Sequence, residues 1–176
     1  MKYFKTPKFL YEVFGEKQSI LEIFCTTIFA LLGSWLIYIV ADLEQISWQG
    51  VLAFLLIADV LAGCIANFSF GTNEFYSNRP KNRLVFISIH IHILVIAWLL
   101  SEPMDLALII WGYTIASAFI VNYLNGQSIQ KFIAANLMCY GILILIYLPL
   151  PVWFLMVSMF FMIKVLFSFS VDHFSK

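Results

Sequence analysis

Four ionisable residues lie inside long apolar runs of the chain, where a charged side chain is unusual: Asp59, His90, His92 and Lys164. An ionised group at bilayer depth costs about 2.5–3.5 kcal/mol on insertion scales, so such residues usually pair with one another or take part in function. A carboxylate, two imidazoles and an amine can together transfer protons, and we therefore treat all four as candidate catalytic residues. Asp59, His90 and His92 are also candidate ligands for a divalent metal ion, the one cofactor that the sequence suggests.

Lys164 has three possible roles. Its ammonium could snorkel about 10 Å to the headgroup region, form a buried ion pair with Asp59, or serve as a functional cation. Asp59, Gly63 and Asn67 follow one another at intervals of four residues, so they line one face of a helix. Gly63 then leaves room beside the carboxylate for a neighbouring side chain or a ligand.

The two histidines lie two residues apart in an alternating segment, Ile87 to Ile93. Such alternation is typical of a strand, but an open strand in lipid leaves backbone groups unsatisfied, so we predict a helix. Residues two apart on a helix point about 200° apart, which places the two imidazoles on different faces. We therefore predict that this helix is central, with the second span against one face and the fifth or sixth against the other. A structural hydrogen bond between helices is the alternative role for each ring.

A polar segment, residues 71–83, joins the second and third apolar runs. We predict a loop whose cations and amides suit an anionic headgroup or a phosphate. Alternatively, these cations only anchor the segment on one side of the membrane. The residues that we assign to ligand binding are Asn67, Asn73, Tyr76, Arg79 and Arg83, together with Asn136 on the fifth span.

The elements that position these residues follow from composition. The chain is 62% hydrophobic and 11% charged, whereas a soluble domain is about 25% charged. Most of its surface must therefore face lipid. We predict an all-α fold, a single six-helix transmembrane bundle over residues 19–176, with spans near 19–41, 49–70, 84–100, 103–124, 128–148 and 151–171.

Charge is distributed unevenly between the predicted connections. The ten basic residues lie on or near one side, and the outer connections carry only acids, such as Asp42, Glu44 and Asp105. The positive-inside rule then places both termini in the cytoplasm and the protein in a plasma membrane, for which we expect the bacterial cytoplasmic (inner) membrane. Residues 1–18 are basic and amphipathic, and we predict an interfacial helix from Thr6 to Gly15, with a solvated tail as the alternative.

Three classes of function fit this pattern. The first is a membrane-embedded enzyme whose site opens to the cytoplasm, although neither an H-E-x-x-H nor a G-x-S-x-G motif is present. The second is a small solute or proton-coupled transporter, or its substrate-binding subunit; the layout resembles that of the vitamin-capture subunits of energy-coupled importers. The third is a non-catalytic assembly subunit. Expected partners are membrane lipids, a small-molecule or lipid substrate, and a partner subunit or second copy, whereas the net charge of zero predicts no nucleic acid.

Overall fold

A computed structural model of the chain describes residues 3–8, 11–43 and 47–174. Six helical stretches within them are long and apolar enough to cross a membrane, which confirms the predicted number of spans. The six stretches are Ile20–Ala41, Trp48–Ala66, Pro80–Leu99, Met104–Tyr123, Gln130–Tyr147 and Val152–Phe169. Lys2, Glu44 and Lys176, three of the charges behind the predicted orientation, lie outside the described residues.

Shorter elements surround and interrupt these spans. In chain order the elements are β1 (Tyr3–Lys5), α1 (Tyr11–Phe14), β2 (Lys17–Ser19), α2 (Ile20–Ala41), α3 (Trp48–Ala66), α4 (Phe70–Ser77), α5 (Pro80–Ile89), α6 (His92–Leu99), α7 (Met104–Tyr123), α8 (Gln130–Tyr147) and α9 (Val152–Met162). A π-helical turn, Ile163–Phe169, continues α9 and is called the π segment below. Span three therefore consists of α5 and α6, and span six consists of α9 and the π segment.

The N-terminal segment contains an antiparallel hairpin, and the helix predicted from Thr6 to Gly15 falls partly on residues 9 and 10, which lie outside the described residues. Strands β1 and β2 pair antiparallel, and Tyr11–Phe14 (α1), which lies between them, is an α-helix. Gly15 has a φ of 69°, a conformation that favours glycine and turns the chain back. A Cβ on Gly15 or on Gly71 would overlap backbone atoms of the facing segment, so the hairpin packs closely on α4. We call this end of the bundle the hairpin end.

Residues 71–83 are mostly helical, in contrast to the predicted loop. Ser69 caps α4 by accepting a hydrogen bond from the Thr72 amide at 3.3 Å. Pro80 occupies the first turn of α5, so span three begins four residues earlier than predicted. A serine cap and a proline in the first turn are both signals of a helix start, and the charge pattern of the segment obscured them.

Span six is the centre of the bundle, not span three as predicted. In the most apolar 18-residue stretch of span six, 61% is buried inside the protein, compared with 39% for the corresponding stretch of span three. Span six contacts spans one to five, and Phe154, Phe161 and Leu166 are among its fully buried side chains. A helix that is apolar on all sides can be buried in this way. Span three packs against span two, as predicted, but its other main neighbour is span four.

Candidate functional site

Span three is broken at His90, although we predicted a continuous helix. The backbone of His90 has φ −76° and ψ 77°, and the Ile91 amide donates to the Ile89 carbonyl at 2.8 Å. These values describe an inverse γ-turn. The carbonyl of His90 accepts a hydrogen bond from Trp111 Nε1 at 3.0 Å, which replaces a bond that the helix would have made.

The γ-turn brings the two histidine rings together. Their centroids are 5.0 Å apart and their planes differ by 34°, so the prediction that they occupy opposite faces is wrong. Because of the γ-turn, the rotation between the side-chain directions of His90 and His92 differs from the value of about 200° expected on a continuous helix. His92 Nε2 lies 3.1 Å from Asp59 Oδ2. His90 is buried, and its Nδ1 bonds the carbonyl of Phe86 in the preceding turn.

Lys164 pairs with Asp59 rather than snorkelling. Its Nζ lies 2.6 Å from Asp59 Oδ2 and donates also to the Asp59 carbonyl at 3.3 Å. Only 4% of the lysine side chain is exposed. The lysine stem lies over Gly63, where an added Cβ would overlap its Cδ and Cε. Gly63 thus provides space for a neighbour, as predicted. We call Asp59, His92 and Lys164 the intramembrane triad.

The π segment positions the lysine of the triad. Ser168 Oγ donates to the Lys164 carbonyl at 3.2 Å, and Ser170 Oγ donates to the Val165 carbonyl at 2.7 Å. Both serines are fully buried and satisfy carbonyl groups of the widened turns. π-helical turns occur frequently at functional sites, and here the turn carries the buried ammonium.

The hydrogen-bond directions define the chemistry of the triad. Asp59 Oδ2, as a carboxylate oxygen, accepts from the lysine ammonium and from His92 Nε2–H. The opposite charges of Asp59 and Lys164 balance each other. His92 Nδ1 is buried and has no hydrogen-bond partner among the described residues. An imidazole held by a carboxylate in this way retains one nitrogen that can take up a proton.

The three side chains differ in exposure. The exposed fraction is 51% for Asp59, 23% for His92 and 4% for Lys164. Leu52 and Leu55 precede Asp59 by two turns and one turn on α3 and are also exposed. The carboxylate therefore lies on the outer surface of the bundle, with the ammonium behind it.

Aromatic side chains fill the space between the triad and the hairpin end. The rings of Phe86 and Phe169 stack at 3.7 Å, and the ring of Tyr76 packs edge-on against both. His90 lies against Phe86 with ring centroids 3.9 Å apart. The exposed part of the site is the Asp59 carboxylate on the outer surface of the bundle, and the opening to the cytoplasm stays a prediction.

The two predicted anion-binding arginines make contacts within the protein. Arg79 pairs with Glu16 of the hairpin at 2.8 Å and lies over the ring of Phe75. Arg83 is 2% exposed and donates to Asn122 Oδ1 and to the Ser170 carbonyl, each at 2.9 Å. Both guanidinium groups are thus used to join elements at the hairpin end.

The remaining predicted ligand-binding residues also lie apart from the triad. Asn73 Nδ2 donates to the Val171 carbonyl at 3.3 Å, and Tyr76 belongs to the aromatic group described above. Asn67 is buried at the end of α3, and Asn136 bonds a carbonyl of its own helix, α8. The structure therefore does not bring the six residues into one anion site.

The described residues contain no group of three or more His, Cys, Asp or Glu side chains arranged to hold a metal ion. Sequence reasoning missed two side chains that support the site. Trp111 bonds the γ-turn, and Gln130 is buried and donates to the Ser170 carbonyl at 3.1 Å. The role of Gln130 could have been predicted, because a glutamine at the start of an apolar helix is unusual. Nothing in the sequence distinguishes Trp111 from a lipid-facing tryptophan.

Comparison of the chain with protein-family models, with curated proteins and with solved structures gives no match. The functional argument therefore depends on the geometry of the triad. The six apolar helices are compatible with an integral membrane protein.

Proposed function

We propose that this chain is an integral membrane protein whose intramembrane triad carries out acid–base chemistry on a membrane-soluble substrate. One observation supports this most directly. A half-exposed carboxylate at Asp59 is held at bilayer depth by a buried ammonium and by an imidazole whose other nitrogen has no hydrogen-bond partner in the part of the chain that the structure describes. A buried ion pair that served packing alone would not require the histidine or the exposed face.

Each residue of the triad has a distinct role in this proposal. His92 accepts a proton from the substrate at Nδ1 and returns it later in the reaction. Asp59 orients the ring and stabilises the imidazolium, and Lys164 keeps Asp59 ionised. Because Nδ1 is covered in the described state, access of the substrate to it requires a movement of α5 at the neighbouring γ-turn that leaves the bond between His92 and Asp59 in place.

The orientation forms part of the same proposal. The hairpin end carries Lys5, Lys17, Arg79 and Lys131, and the opposite end carries acids such as Asp105. The positive-inside rule places the hairpin end in the cytoplasm. We further propose that the membrane is the bacterial cytoplasmic membrane.

Substitution of His92 by glutamine tests the chemistry. The glutamine side chain retains a donor for Asp59 but cannot take up a proton. The wild type, His92→Gln and the matched control His173→Gln, outside the spans, are reconstituted in vesicles of bacterial lipid extract in D2O. Mass spectrometry then follows lipids that change in mass or incorporate deuterium. We expect His92→Gln to slow the conversion by about 10²–10⁴-fold and His173→Gln to leave it unchanged. Conversion by His92→Gln at the wild-type rate would refute the role of His92.

A proton-coupled carrier is the second candidate, and the break in span three favours it. Interrupted membrane helices form the binding sites of many transporters, and the γ-turn lies beside the triad. Vesicles containing a pH-sensitive dye would report proton movement under an imposed gradient. For a carrier, this flux depends on His92 and no lipid is converted. A non-catalytic subunit would show neither activity and would co-purify with a partner.

A further inference from the structure

We infer that the ligand of the triad is an uncharged amphiphile with a hydrogen-bond donor, and that it enters from the bilayer between span two and α5. This inference rests on the proposed function, since it identifies the class of molecule on which the triad acts. The opening, the donors and acceptors, and the charge of the site each support it.

The opening follows from the way in which span three packs. Helix α3 packs along α6 and the π segment, whereas α5 packs on α4 and α7, so spans two and three diverge toward the hairpin end. Asp59 lies where they diverge, bonded to His92 at the first residue of α6. Leu55, one turn before Asp59, is 63% exposed, and Ile91, beside His92, is 47% exposed. An apolar rim of this kind suits an acyl or isoprenoid chain.

The donors and acceptors of the triad are unequally accessible. The ammonium of Lys164 is covered, and His92 Nε2–H is directed to Asp59. The half-exposed group is the carboxylate of Asp59. Lys164 and His92 both bond to its Oδ2, so its Oδ1 takes part in neither of these two bonds. A ligand at the opening therefore meets an acceptor, and a ligand with a donor matches it.

Charge excludes the ionic alternatives. Asp59 and Lys164 already neutralise each other at 2.6 Å. An anionic headgroup would face the carboxylate, since the ammonium lies behind it. A cationic headgroup would leave a net positive charge at bilayer depth, where ions are costly. A hydroxyl group avoids both problems, so a long-chain alcohol represents the expected class.

Three probes with the same alkyl chain test this directly: octadecan-1-ol, its methyl ether and octadecanoate. The ether lacks the donor, and the carboxylate is an anion. Native mass spectrometry of the protein in detergent micelles gives the apparent Kd of each. We expect the alcohol to bind at least about tenfold more tightly than either other probe, because only the alcohol donates to a charged acceptor. Equal binding of the alcohol and the ether, or tighter binding of octadecanoate, would overturn the inference.

The double variant Asp59→Leu with Lys164→Met removes both charges together and so avoids an unpaired ion. It should bind the alcohol and the ether equally, whereas the exposed control Asp105→Asn should retain the wild-type preference. An alcohol with a diazirine in its chain should cross-link to peptides from α3 and α5; labelling confined to α8 would contradict the entry route. His92→Gln should still prefer the alcohol. If it does so while no lipid is converted by the wild type, the proposed chemistry fails and the binding inference stands.

Discussion

The ion pair between Asp59 and Lys164 leads to the sharpest stability prediction. Removal of one partner of a buried pair leaves an uncompensated charge and typically costs about 3–5 kcal/mol. Replacement of both by apolar residues of similar size is often nearly neutral. We therefore predict that Asp59→Leu and Lys164→Met each destabilise the protein, and that the double variant recovers most of the loss.

The structure orders the two single variants. Without the Asp59 carboxylate, the ammonium of Lys164, 4% exposed, retains only the Asp59 backbone carbonyl at 3.3 Å. Without the ammonium, the carboxylate retains His92 at 3.1 Å. Asp59→Leu should accordingly lie near the upper end of the range, about 5 kcal/mol, and Lys164→Met near the lower end, about 3 kcal/mol. If the double variant lies within about 1 kcal/mol of the wild type, the coupling energy in the double-mutant cycle is about 7 kcal/mol, above the range of about 0.5–3 kcal/mol for most residues in contact, because each single variant leaves a charge unpaired.

Unfolding by sodium dodecyl sulfate in mixed micelles, followed by tryptophan fluorescence, measures these free energies. The exposed charges Asp105 and Lys131 supply matched controls, since Asp105→Leu and Lys131→Met should change stability by no more than about 0.5 kcal/mol. A coupling energy near zero, or a loss below about 1 kcal/mol for Asp59→Leu, would show that the buried ammonium of Lys164 does not depend on the Asp59 carboxylate.

Four other outcomes are expected. Gly63→Ala places a methyl group against the Lys164 stem and should cost about 1–3 kcal/mol by overpacking, a cost that should largely vanish in the same unfolding assay when the same change is made in a Lys164→Ala background. Gly71→Ala should detach the N-terminal hairpin, because the added Cβ would overlap the Lys17 carbonyl. Faster hydrogen exchange of residues 3–19 would report this. The control Gly112→Ala, where the Cβ meets open space, should be neutral or stabilising by up to about 1 kcal/mol. Arg83→Met removes one buried and one part-buried hydrogen bond and should cost about 2–4 kcal/mol in unfolding free energy, whereas Lys81→Met, at an exposed position, should cost little. Burial lowers the pKa of His173 below its usual range, although its hydrogen bond to the Ser168 carbonyl acts in the opposite direction. Folding therefore favours the neutral ring, so the contribution of His173 to stability is present above about pH 6.5 and is lost as the pH falls through the folded pKa. Between pH 8 and pH 5, the Tm of His173→Gln should depend less on pH than the Tm of the wild type.

The sequence was sufficient for features that depend on composition and local pairing. Six apolar stretches of membrane-spanning length predicted six spans. Ser19 and Glu22 have the S-x-x-E spacing of a capping box, which the structure forms at 3.2 and 2.8 Å. The pairing of Lys164 with Asp59 was among the predicted alternatives, because the depths of the two residues in their spans agree.

Features that depend on the neighbours of a helix were not predictable in the same way. The γ-turn at His90 has no proline or glycine to mark it, and Trp111, twenty-one residues away in sequence, bonds its carbonyl. The burial of Arg83 was missed for a related reason. The positive-inside rule treats every basic residue as solvated, whereas this guanidinium is buried and donates to the Ser170 carbonyl at the end of span six.

The hydrogen bond from Trp111 to the His90 carbonyl makes one indole an internal reporter. Indole emission responds to loss of a hydrogen bond at Nε1, so separation of α5 from α6 at the γ-turn changes the fluorescence of this tryptophan. A version of the protein in which Trp35, Trp48, Trp98 and Trp153 are phenylalanine would carry that single fluorophore. Stopped-flow mixing with an amphiphile would then time the movement of span three without any attached label.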